Sequence, residues 1–469
     1  MTPAVLLASV LLVSPASTMS PSPTPTPDIP LSEVAIGPGP AGSLVLVDSV
    51  SGPPLVTVVI AARTGSATDP KGKAGLAYLG TVLARRGAGD RDRSALDEAF
   101  DSLGAQMVVE VDPDSVRLRG NVLERHLDAF LDLLASIVLS PRFDPRELGR
   151  TRNELIAQMD EARNDDRTLC ERFFDARLYG THPYGTPVDG TPRSLRRIRR
   201  EDLLRRHRQV FVGQNLVFAA AGPLDLAGFQ TRLAARFGRL RRGPAPKNNT
   251  PAAPKPAAGW RVQLVDKPDR QQTQIMFGQP SISATDPDRY ALALAMASFG
   301  GGAMTATLMD EVRTKRGLAY SAYMDLSLRR GPGALRGWLY TSTGRTVKTL
   351  KLVLRLYTEL AQKGLPEERL PAWKQHLIGT YAAELDDPAH RLSARVAALL
   401  AGLPVDEVDR FAERIAAVTP AEINAAIARH IDPQRLAITL LATASVLKPM
   451  LLKSGVAEGA IDVVPWTSE

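Results

Sequence analysis

The segment Phe143-Asp-Pro-Arg-Glu-Leu148 has a counterpart, Leu365-Pro-Glu-Glu-Arg-Leu370, about 220 residues later in the chain. Arg152 and Leu155, which follow the first segment, correspond to Lys374 and Leu377 after the second. Two further pairs keep close to this offset: 198–203 with 418–423, and 214–216 with 434–436. Repetition at a constant offset predicts that the chain is an internal duplication of one structural unit.

Hydrophobic periodicity predicts the elements of that unit. In the first half, alternating or apolar runs predict strands at 44–50, 55–62, 106–111, 115–123 and 215–221. Apolar residues at helical spacing predict helices at 73–86, 94–103, 126–138, 146–162, 167–178, 201–210 and 226–237. Strands and helices mixed in this way favour an α+β fold over a parallel α/β winding. We therefore expect two homologous repeats, each a mostly antiparallel sheet packed with helices.

Composition sets the expected domain boundaries. Two stretches rich in Pro, with Ser and Thr in the first and Ala in the second, lie at 21–41 and 243–259, and such compositions favour a flexible leader and a linker. The predicted organisation is a signal peptide, the leader, an N-terminal repeat, the linker, a C-terminal repeat and a tail, at 1–20, 21–41, 42–242, 243–259, 260–450 and 451–469.

The first twenty residues resemble a secretory signal. An apolar run over 4–13 precedes the small residues Ser14, Ala16 and Ser17, although no Lys or Arg comes before the run. We predict export to the periplasm or the extracellular space. No later stretch is long and apolar enough to predict a transmembrane helix. The only cysteine is Cys170, so an intramolecular disulfide framework is excluded, and we expect a buried apolar role for it.

The chain is basic, with a formal net charge of +8 and a pI near 9.6. Seven arginines cluster between 196 and 208, which raises the possibility of nucleic-acid binding. Aromatic residues make up only 5% of the chain, and none interleaves with these arginines to form stacking platforms. We therefore interpret the cluster as a solvated helix face and expect no nucleic-acid partner.

The residue pattern by itself gives little support for a metal site or a phosphate site. Among the six histidines no two stand three to five residues apart, so the sequence contains no helical histidine pair. The acidic pairs Asp165-Asp166 and Asp386-Asp387 each follow a helical run, and helix-end solvation explains them better than a cation site. Gly300-Gly301-Gly302 lacks the spacing of a phosphate-binding loop and predicts a turn.

The block from Leu308 to Ser321 is the remaining candidate. Arg313 stands late in a predicted helix, Gly317 allows a sharp turn, and Tyr320 opens a strand-like run over 320–326. The residues alone favour a structural interpretation, in which Arg313 caps helix carbonyls and Tyr320 is a half-buried strand aromatic.

The sequence nevertheless resembles the insulinase/pitrilysin family of zinc peptidases, whose metal motif is the inverted His-x-x-Glu-His. The resemblance covers about 42–445 and rests on Gly75-Leu-Ala77, on His182-Pro-Tyr-Gly185 with Gly190, and on the block from Arg313 to Tyr320. It implies that the two repeats form half of a clamshell that closes around a chamber.

The resemblance also implies that the zinc site is lost. In active members the motif directly follows the Gly-Leu-Ala segment, where this chain has Tyr78-Leu-Gly-Thr81-Val82. The third zinc ligand of the family, a glutamate, corresponds to Gln158, and the helper glutamate to Thr151. We therefore predict that this chain carries no metal or other cofactor of its own, because neutral side chains do not form a charged zinc–hydroxide site.

The pair Arg313 and Tyr320 matches the family's substrate-side arginine and tyrosine, which stand seven residues apart. Some bacterial members divide the zinc motif and this pair between two chains, and this sequence resembles the second kind. The resemblance implies a homologous partner that carries the zinc, with peptides as substrates, and Arg313 and Tyr320 completing the partner's site. The alternative is a catalytically inactive scaffold or peptide-binding protein with the same fold.

Overall fold

A computed structural model describes residues 34–246, 251–252, 259–456 and 461–468. The predicted signal peptide and most of the predicted leader lie outside these residues, as does most of the linker at 243–259. No helix in the described ranges combines the length and the apolarity that a membrane crossing requires.

The first repeat contains a six-stranded mixed sheet in the order β1-β2-β6-β3-β5-β4. Only β2 and β6 pair in parallel; the other neighbours are antiparallel. The strands are β1 Val34–Pro38, β2 Leu44–Ser49, β3 Leu55–Ala62, β4 Gln106–Val111, β5 Val116–Leu123 and β6 Leu216–Gly222. Because β3 and β6 lie inside the sheet and are covered on both faces, their residues are almost all buried, which explains their continuous apolar sequence.

The second sheet repeats this order as β12-β7-β11-β8-β10-β9. The strands are β7 Arg261–Asp266, β8 Gln272–Ser281, β9 Ala322–Ser327, β10 Gly333–Ser342, β11 Ala437–Ala442 and β12 Asp462–Pro465. Strands β7 to β11 take the places of β2 to β6, so the predicted duplication is confirmed in the topology. The outer strands differ: β1 pairs antiparallel with β2, whereas β12 pairs parallel with β7.

Fifteen α-helices are found in the described ranges. Those of the first repeat are α1 Leu76–Ala84, α2 Arg93–Ser102, α3 Leu127–Leu139, α4 Pro145–Ala162, α5 Asp166–Tyr179, α6 Pro192–Arg197, α7 Arg200–Val210 and α8 Leu226–Phe237. Those of the second are α9 Arg289–Gly300, α10 Thr346–Lys363, α11 Leu370–Leu385, α12 Pro388–Ala401, α13 Glu407–Ala417, α14 Pro420–His430 and α15 Ala444–Ser454. The α+β class is therefore confirmed.

Each sheet packs one face against helices of its own repeat. In the first repeat, Phe130 of α3 and Phe229 of α8 pack with Ile60 of β3 in one large core. In the second, Phe299 of α9 and Tyr357 of α10 pack with other buried residues around β8 and β10. Burial of these apolar faces is the main source of stability of each repeat.

The opposite face of each sheet is covered by a helix from the other repeat. Helix α5 places Cys170 and Phe174 against β8 and β11 of the second sheet. Helix α12 places Leu392 and Val396 against β3 and β6 of the first sheet. This exchange joins the repeats into one body, and it gives Cys170 the buried apolar role expected from the sequence.

One aspartate of each acidic pair caps the helix that follows it. Asp165 accepts a hydrogen bond from the Thr168 amide at the start of α5, and Asp387 accepts one from the Ala389 amide at the start of α12. Both contacts satisfy amides that lack partners in the first helical turn. The interpretation of these carboxylates as helix-end groups is therefore supported.

Two boundaries need correction. The leader predicted over 21–41 extends too far, because Val34–Pro38 forms strand β1 on the edge of the first sheet. The tail predicted over 451–469 is wrong in part, because α15 continues to Ser454 and Asp462–Pro465 forms β12. Backbone pairing with a neighbouring strand orders both segments despite their weak apolar periodicity.

Candidate functional site

Helix α1 begins where two glycines bring separate backbone segments together. Gly75 has φ +87°, and a β-carbon on it would lie 2.5 Å from the carbonyl oxygen of Asp189. Gly190 has φ +81°, and its β-carbon would lie 2.4 Å from the carbonyl oxygen of Ala74. Only glycine fits at both places, so these two family marks position the start of α1.

The residues that stand in place of the zinc motif lie along α1. Tyr78 and Val82, one helical turn apart, are half-buried. Thr81 is buried, and its hydroxyl donates a hydrogen bond of 2.7 Å to the carbonyl of Ala77 within the same helix. Burial raises the pKa of the Tyr78 phenol, the carboxylate of Asp189 raises it further, and Arg86 opposes the rise. The phenol is therefore neutral at physiological pH.

The corresponding positions on α4 are equally unsuited to a metal. Thr151 is fully buried and its hydroxyl accepts a hydrogen bond of 2.9 Å from Arg86. Gln158 is exposed and neutral. The carboxylate one turn before it, Glu154, forms an ion pair with Arg86 and lies 3.7 Å from Arg93. The Glu154 carboxylate is thus already paired with guanidinium groups.

These residues do not fit a zinc ion. Tyr78, Thr81, Val82 and Gln158 offer neither an imidazole nor a carboxylate, and Arg86 places a permanent positive charge against α4. Tetrahedral zinc sites need deprotonated sulfur, imidazole nitrogen or carboxylate oxygen at about 2.0–2.3 Å. Because these residue types do not supply such ligands, we interpret the site as degenerate.

Arg313 and Tyr320 lie next to each other at the other candidate position. Arg313 belongs to a π-helical segment, Met309–Thr314, in which the Lys315 amide donates to the carbonyl of Asp310. The chain then reverses at Gly317, whose φ of +56° is left-handed. This reversal brings the guanidinium carbon of Arg313 to 4.3 Å from the centroid of the Tyr320 ring.

The pair presents hydrogen-bond donors to solvent. The Tyr320 side chain is 66% exposed, and no hydrogen bond of its hydroxyl is found among the described residues. One guanidinium nitrogen of Arg313 lies 3.6 Å from the sulfur of Met304, which is a weak contact. The prediction that Arg313 caps helix carbonyls and that Tyr320 is half-buried is therefore wrong: strand β9 begins only at Ala322, which leaves Tyr320 outside the sheet.

The segment His182–Gly185 joins the two repeats. The Tyr184 hydroxyl donates to the carboxylate of Asp114 at 2.7 Å and accepts a hydrogen bond from the Gly331 amide of the second repeat at 3.0 Å. Nε2 of His182 lies 2.9 Å from the carbonyl oxygen of Pro251 in the linker. This family mark therefore has a structural role and does not contribute to either candidate position.

The arginine cluster at 196–208 divides into two groups. Arg206 is buried and donates to the Gly65 carbonyl and the Thr68 hydroxyl, and Arg200 donates to the Phe143 carbonyl. The other members are exposed: Arg196, Arg197, Arg199, Arg205 and Arg208. The cluster is therefore a solvent-exposed face together with two arginines that have structural roles.

The sequence analysis missed a row of three half-buried aromatic residues, which we call the aromatic row: Tyr323 on β9, and Trp338 and Tyr340 on β10. Tyr323 and Trp338 are directly paired across the strands, with ring centroids 5.9 Å apart and planes 6° apart. The Trp338 and Tyr340 centroids lie 5.6 Å apart. The alternation of Trp338 and Tyr340 along one strand was a signal that could have predicted it.

Two family models match the chain. The model described as Insulinase (Peptidase family M16) matches residues 44–192, and the model described as Peptidase M16 inactive domain matches residues 197–377. The first match contains the degenerate zinc positions, and the second contains Arg313 and Tyr320.

The similar proteins include some that are named zinc proteases and one that is named a non-peptidase homolog. An uncharacterized zinc protease of Mycobacterium tuberculosis is 28% identical over 357 residues, which is 74% of this chain and 80% of the relative. A protein of Helicobacter pylori named non-peptidase homolog YmxG is 22% identical over 392 residues, 83% of this chain and 89% of the relative.

Among solved structures, the peptidase M16 inactive domain from Pseudomonas fluorescens is similar with a TM-score of 0.82 and 26% identity. The similarity covers 87% of this chain and 97% of that one. A protease from Helicobacter pylori has the same fold, with a TM-score of 0.79 at 16% identity, over 88% of this chain and all of that one.

Proposed function

Since this chain belongs to the insulinase family, peptidase family M16, as a member of the inactive type, we propose that it is the non-catalytic subunit of a heterodimeric zinc endopeptidase. In this proposal a homologous partner brings the zinc site and the general base. This chain supplies a wall of the chamber, together with Arg313 and Tyr320.

One contrast carries the proposal. The metal positions on α1 and α4 hold Tyr78, Thr81, Val82 and Gln158, none of which suits zinc, while Arg313 and Tyr320 lie together and Tyr320 is exposed. A chain that served only as a scaffold would gain nothing from an exposed tyrosine next to an arginine. Selective loss of one half of a site suggests that the other half works with a second chain.

The chemistry of the pair fits acyl transfer at a peptide bond. A guanidinium and a phenol both donate hydrogen bonds, and donors aimed at a carbonyl stabilise the oxyanion of the tetrahedral intermediate. One such donor typically lowers the barrier by about 3–4 kcal/mol. We propose that Arg313 and Tyr320 contact the scissile carbonyl or its neighbour in a peptide held between the chains.

The substrates proposed here are unfolded peptides. A chamber formed between two clamshell halves admits an extended segment more readily than a folded domain. Export of the chain, predicted from residues 1–20, would place this activity in the periplasm or outside the cell.

The experiment that tests the proposal compares three samples: this chain alone, a homologue from the same organism that carries His-x-x-Glu-His alone, and the two mixed. Bound zinc, association by sedimentation velocity and cleavage of a fluorogenic peptide are measured for each. We expect zinc in the homologue only, a complex on mixing, and a rise in peptidase activity in that complex.

Two outcomes would overturn it. Absence of binding between the chains would leave the inactive scaffold as the better account. Zinc-dependent activity in this chain alone would contradict both interpretations, because no set of ligands in the degenerate site accounts for it.

A further inference from the structure

The aromatic row lies on the face of the second sheet that α5 covers only in part. Side chains of β10 alternate between faces: Leu335 and Leu339 point into the core under α9 and α10, whereas Trp338 and Tyr340 point to the α5 side. Helix α5 packs mainly on β8 and β11 and leaves this end of the face half-open.

The row is held in a fixed geometry. The indole nitrogen of Trp338 donates to the side-chain oxygen of Gln274 at 3.0 Å, which sets the orientation of the ring. The guanidinium carbon of Arg167, at the start of α5, lies 4.0 Å from the centroid of the Trp338 ring, and Arg167 is itself paired with Glu171. An indole held in this orientation, with a tyrosine on either side of it along the row, is a rigid aromatic surface, and the exposed Arg167 side chain moves aside when a further ring stacks on Trp338.

The row is continuous with the substrate-side pair. The Tyr323 hydroxyl lies 3.5 Å from the hydroxyl of Ser321, the residue that follows Tyr320. Tyr323 stands three positions after Tyr320, a distance of at most about 10–11 Å along an extended chain. An extended peptide that places a carbonyl at Tyr320 thus reaches the row with a side chain within about three residues.

Strand β9 offers a backbone guide along this path. It is the last strand of its sheet and pairs only with β10 in the described residues. Such an edge carries unpaired amides and carbonyls that an extended peptide is able to bond.

We propose that the aromatic row binds an aromatic side chain of the peptide substrate, within about three residues of the bond next to Arg313 and Tyr320. This inference rests on the proposed function, because it assigns a specificity subsite to the same chamber. Stacking on Tyr323 and Trp338 selects an aromatic side chain in the peptide. Hydrogen bonds between the peptide backbone and β9 contribute no sequence preference.

The test uses the complex of this chain with its zinc-bearing homologue and ten-residue peptides of Ala, Ser and Gly that carry a single Phe, moved one position at a time. We expect kcat/KM to peak at a position within about three residues of the cleaved bond, and Trp338→Leu to lower that peak about five-fold. Peptides without Phe should be cleaved equally by the variant and the unaltered chain.

Three further variants make the result specific. Trp466→Leu replaces a half-buried tryptophan outside the row and should leave the Phe preference unchanged. Tyr340→Leu keeps the Trp338 anchor, so it should fold and still reduce the preference. Arg313→Ala should slow all peptides alike, which separates failure of the proposed function from failure of the subsite.

A second measurement applies to this chain alone. A peptide of the same composition with one benzophenone-alanine is irradiated with the purified chain, and the cross-linked residues are mapped. Cross-links to the row that Trp338→Leu removes support the inference even if no active complex forms. An unchanged Phe preference in Trp338→Leu and Tyr340→Leu, or cross-links only elsewhere, would overturn it.

Discussion

The guanidinium carbon of Arg313 lies 4.3 Å from the centroid of the Tyr320 ring, which is the geometry of a cation–π contact. At an exposed site such a contact contributes about 0.5–1 kcal/mol, enough to orient both side chains without burying either donor. The pair is therefore arranged for an incoming acceptor, and its residues are open to substitution without damage to the core.

Removal of the Tyr320 hydroxyl should slow cleavage by the proposed complex. Because this hydroxyl has no partner among the described residues, Tyr320→Phe should not change folding or assembly. We expect kcat to fall by about 100-fold, since a donor to the oxyanion is lost. Tyr78→Phe, which also removes one phenol but keeps a half-buried ring at a position with no role in the proposed reaction, is the matched control. Equal turnover for Tyr320→Phe and the unaltered complex would exclude the assigned role.

Restored ligands should create a zinc site between α1 and α4. The variant Tyr78→His, Val82→His, Gln158→Glu supplies two imidazoles one helical turn apart and a carboxylate, and we expect it to bind one zinc per chain. In the control, Ala157→Glu replaces Gln158→Glu, which turns the carboxylate by about 100° around α4 and should weaken zinc binding at least about 100-fold. Competition with a fluorescent chelator measures both affinities. Equal affinities would mean that residue 158 is not the third position.

The carboxylate of Asp48 joins the two repeats and should be essential to stability. It is fully buried on β2 and accepts a hydrogen bond of 2.9 Å from Arg391 of α12, with Arg395 at 3.7 Å. Asp48→Ala leaves buried guanidinium charge without this partner, so we expect a loss of about 3–5 kcal/mol in the free energy of unfolding, measured by denaturation in urea.

The matched control for Asp48 is an ion pair on the surface. Glu359 bonds Arg355 at 3.0 Å, and the two side chains are 36% and 54% exposed. Glu359→Ala should cost less than about 1 kcal/mol. A similar loss in both variants would show that the contact between β2 and α12 is not needed to hold the repeats together.

His207 should make stability fall with acid. Burial lowers the pKa of this imidazole to about 4, against about 6.5 in an unfolded chain. Its Nε2 lies 2.7 Å from the Val138 carbonyl, and its ring stacks on Phe211. Between pH 6.5 and 4 the unfolded chain binds a proton that the folded chain does not. The stability that neutral His207 contributes is therefore complete above pH 6.5, and it is lost as pH falls below that value, at about 1.4 kcal/mol per pH unit.

Urea denaturation of the unaltered chain and of His207→Gln at pH 7.5 and pH 5 checks this contribution. The variant should be the less stable at pH 7.5, and the difference should shrink at pH 5, where protonation of the unfolded chain has removed part of the contribution of the imidazole. A difference that stays constant with pH would contradict the assignment.

Much of the fold was predictable from local pattern. Strand β3 over 55–62 and helix α8 over 226–237 were predicted with their observed bounds, because apolar periodicity is strong in both. Strands β1 and β12 were not predicted, because both are short edge strands whose order comes from pairing with β2 and β7. Their residues carry little signal of their own.

The candidate site divides in the same way. Residue type alone shows that Val82 and Gln158 are not zinc ligands, whatever surrounds them. The spacing of Arg313 and Tyr320 predicted a pair only through family resemblance, and their contact depends on the π-helical segment and the reversal at Gly317. No hydrophobic periodicity in the sequence specifies the reversal of the chain at Gly317.

The sequence by itself determined the duplication and the α+β class, and through the family resemblance it implied the loss of metal-binding side chains, because these depend on repeated patterns and on the chemistry of single residues. Only the tertiary structure decided that α5 and α12 exchange places between the repeats, that His182–Gly185 joins them, and that Tyr323 stacks beside Trp338. These contacts connect residues far apart in the chain, and strand register and helix packing decide which of them form.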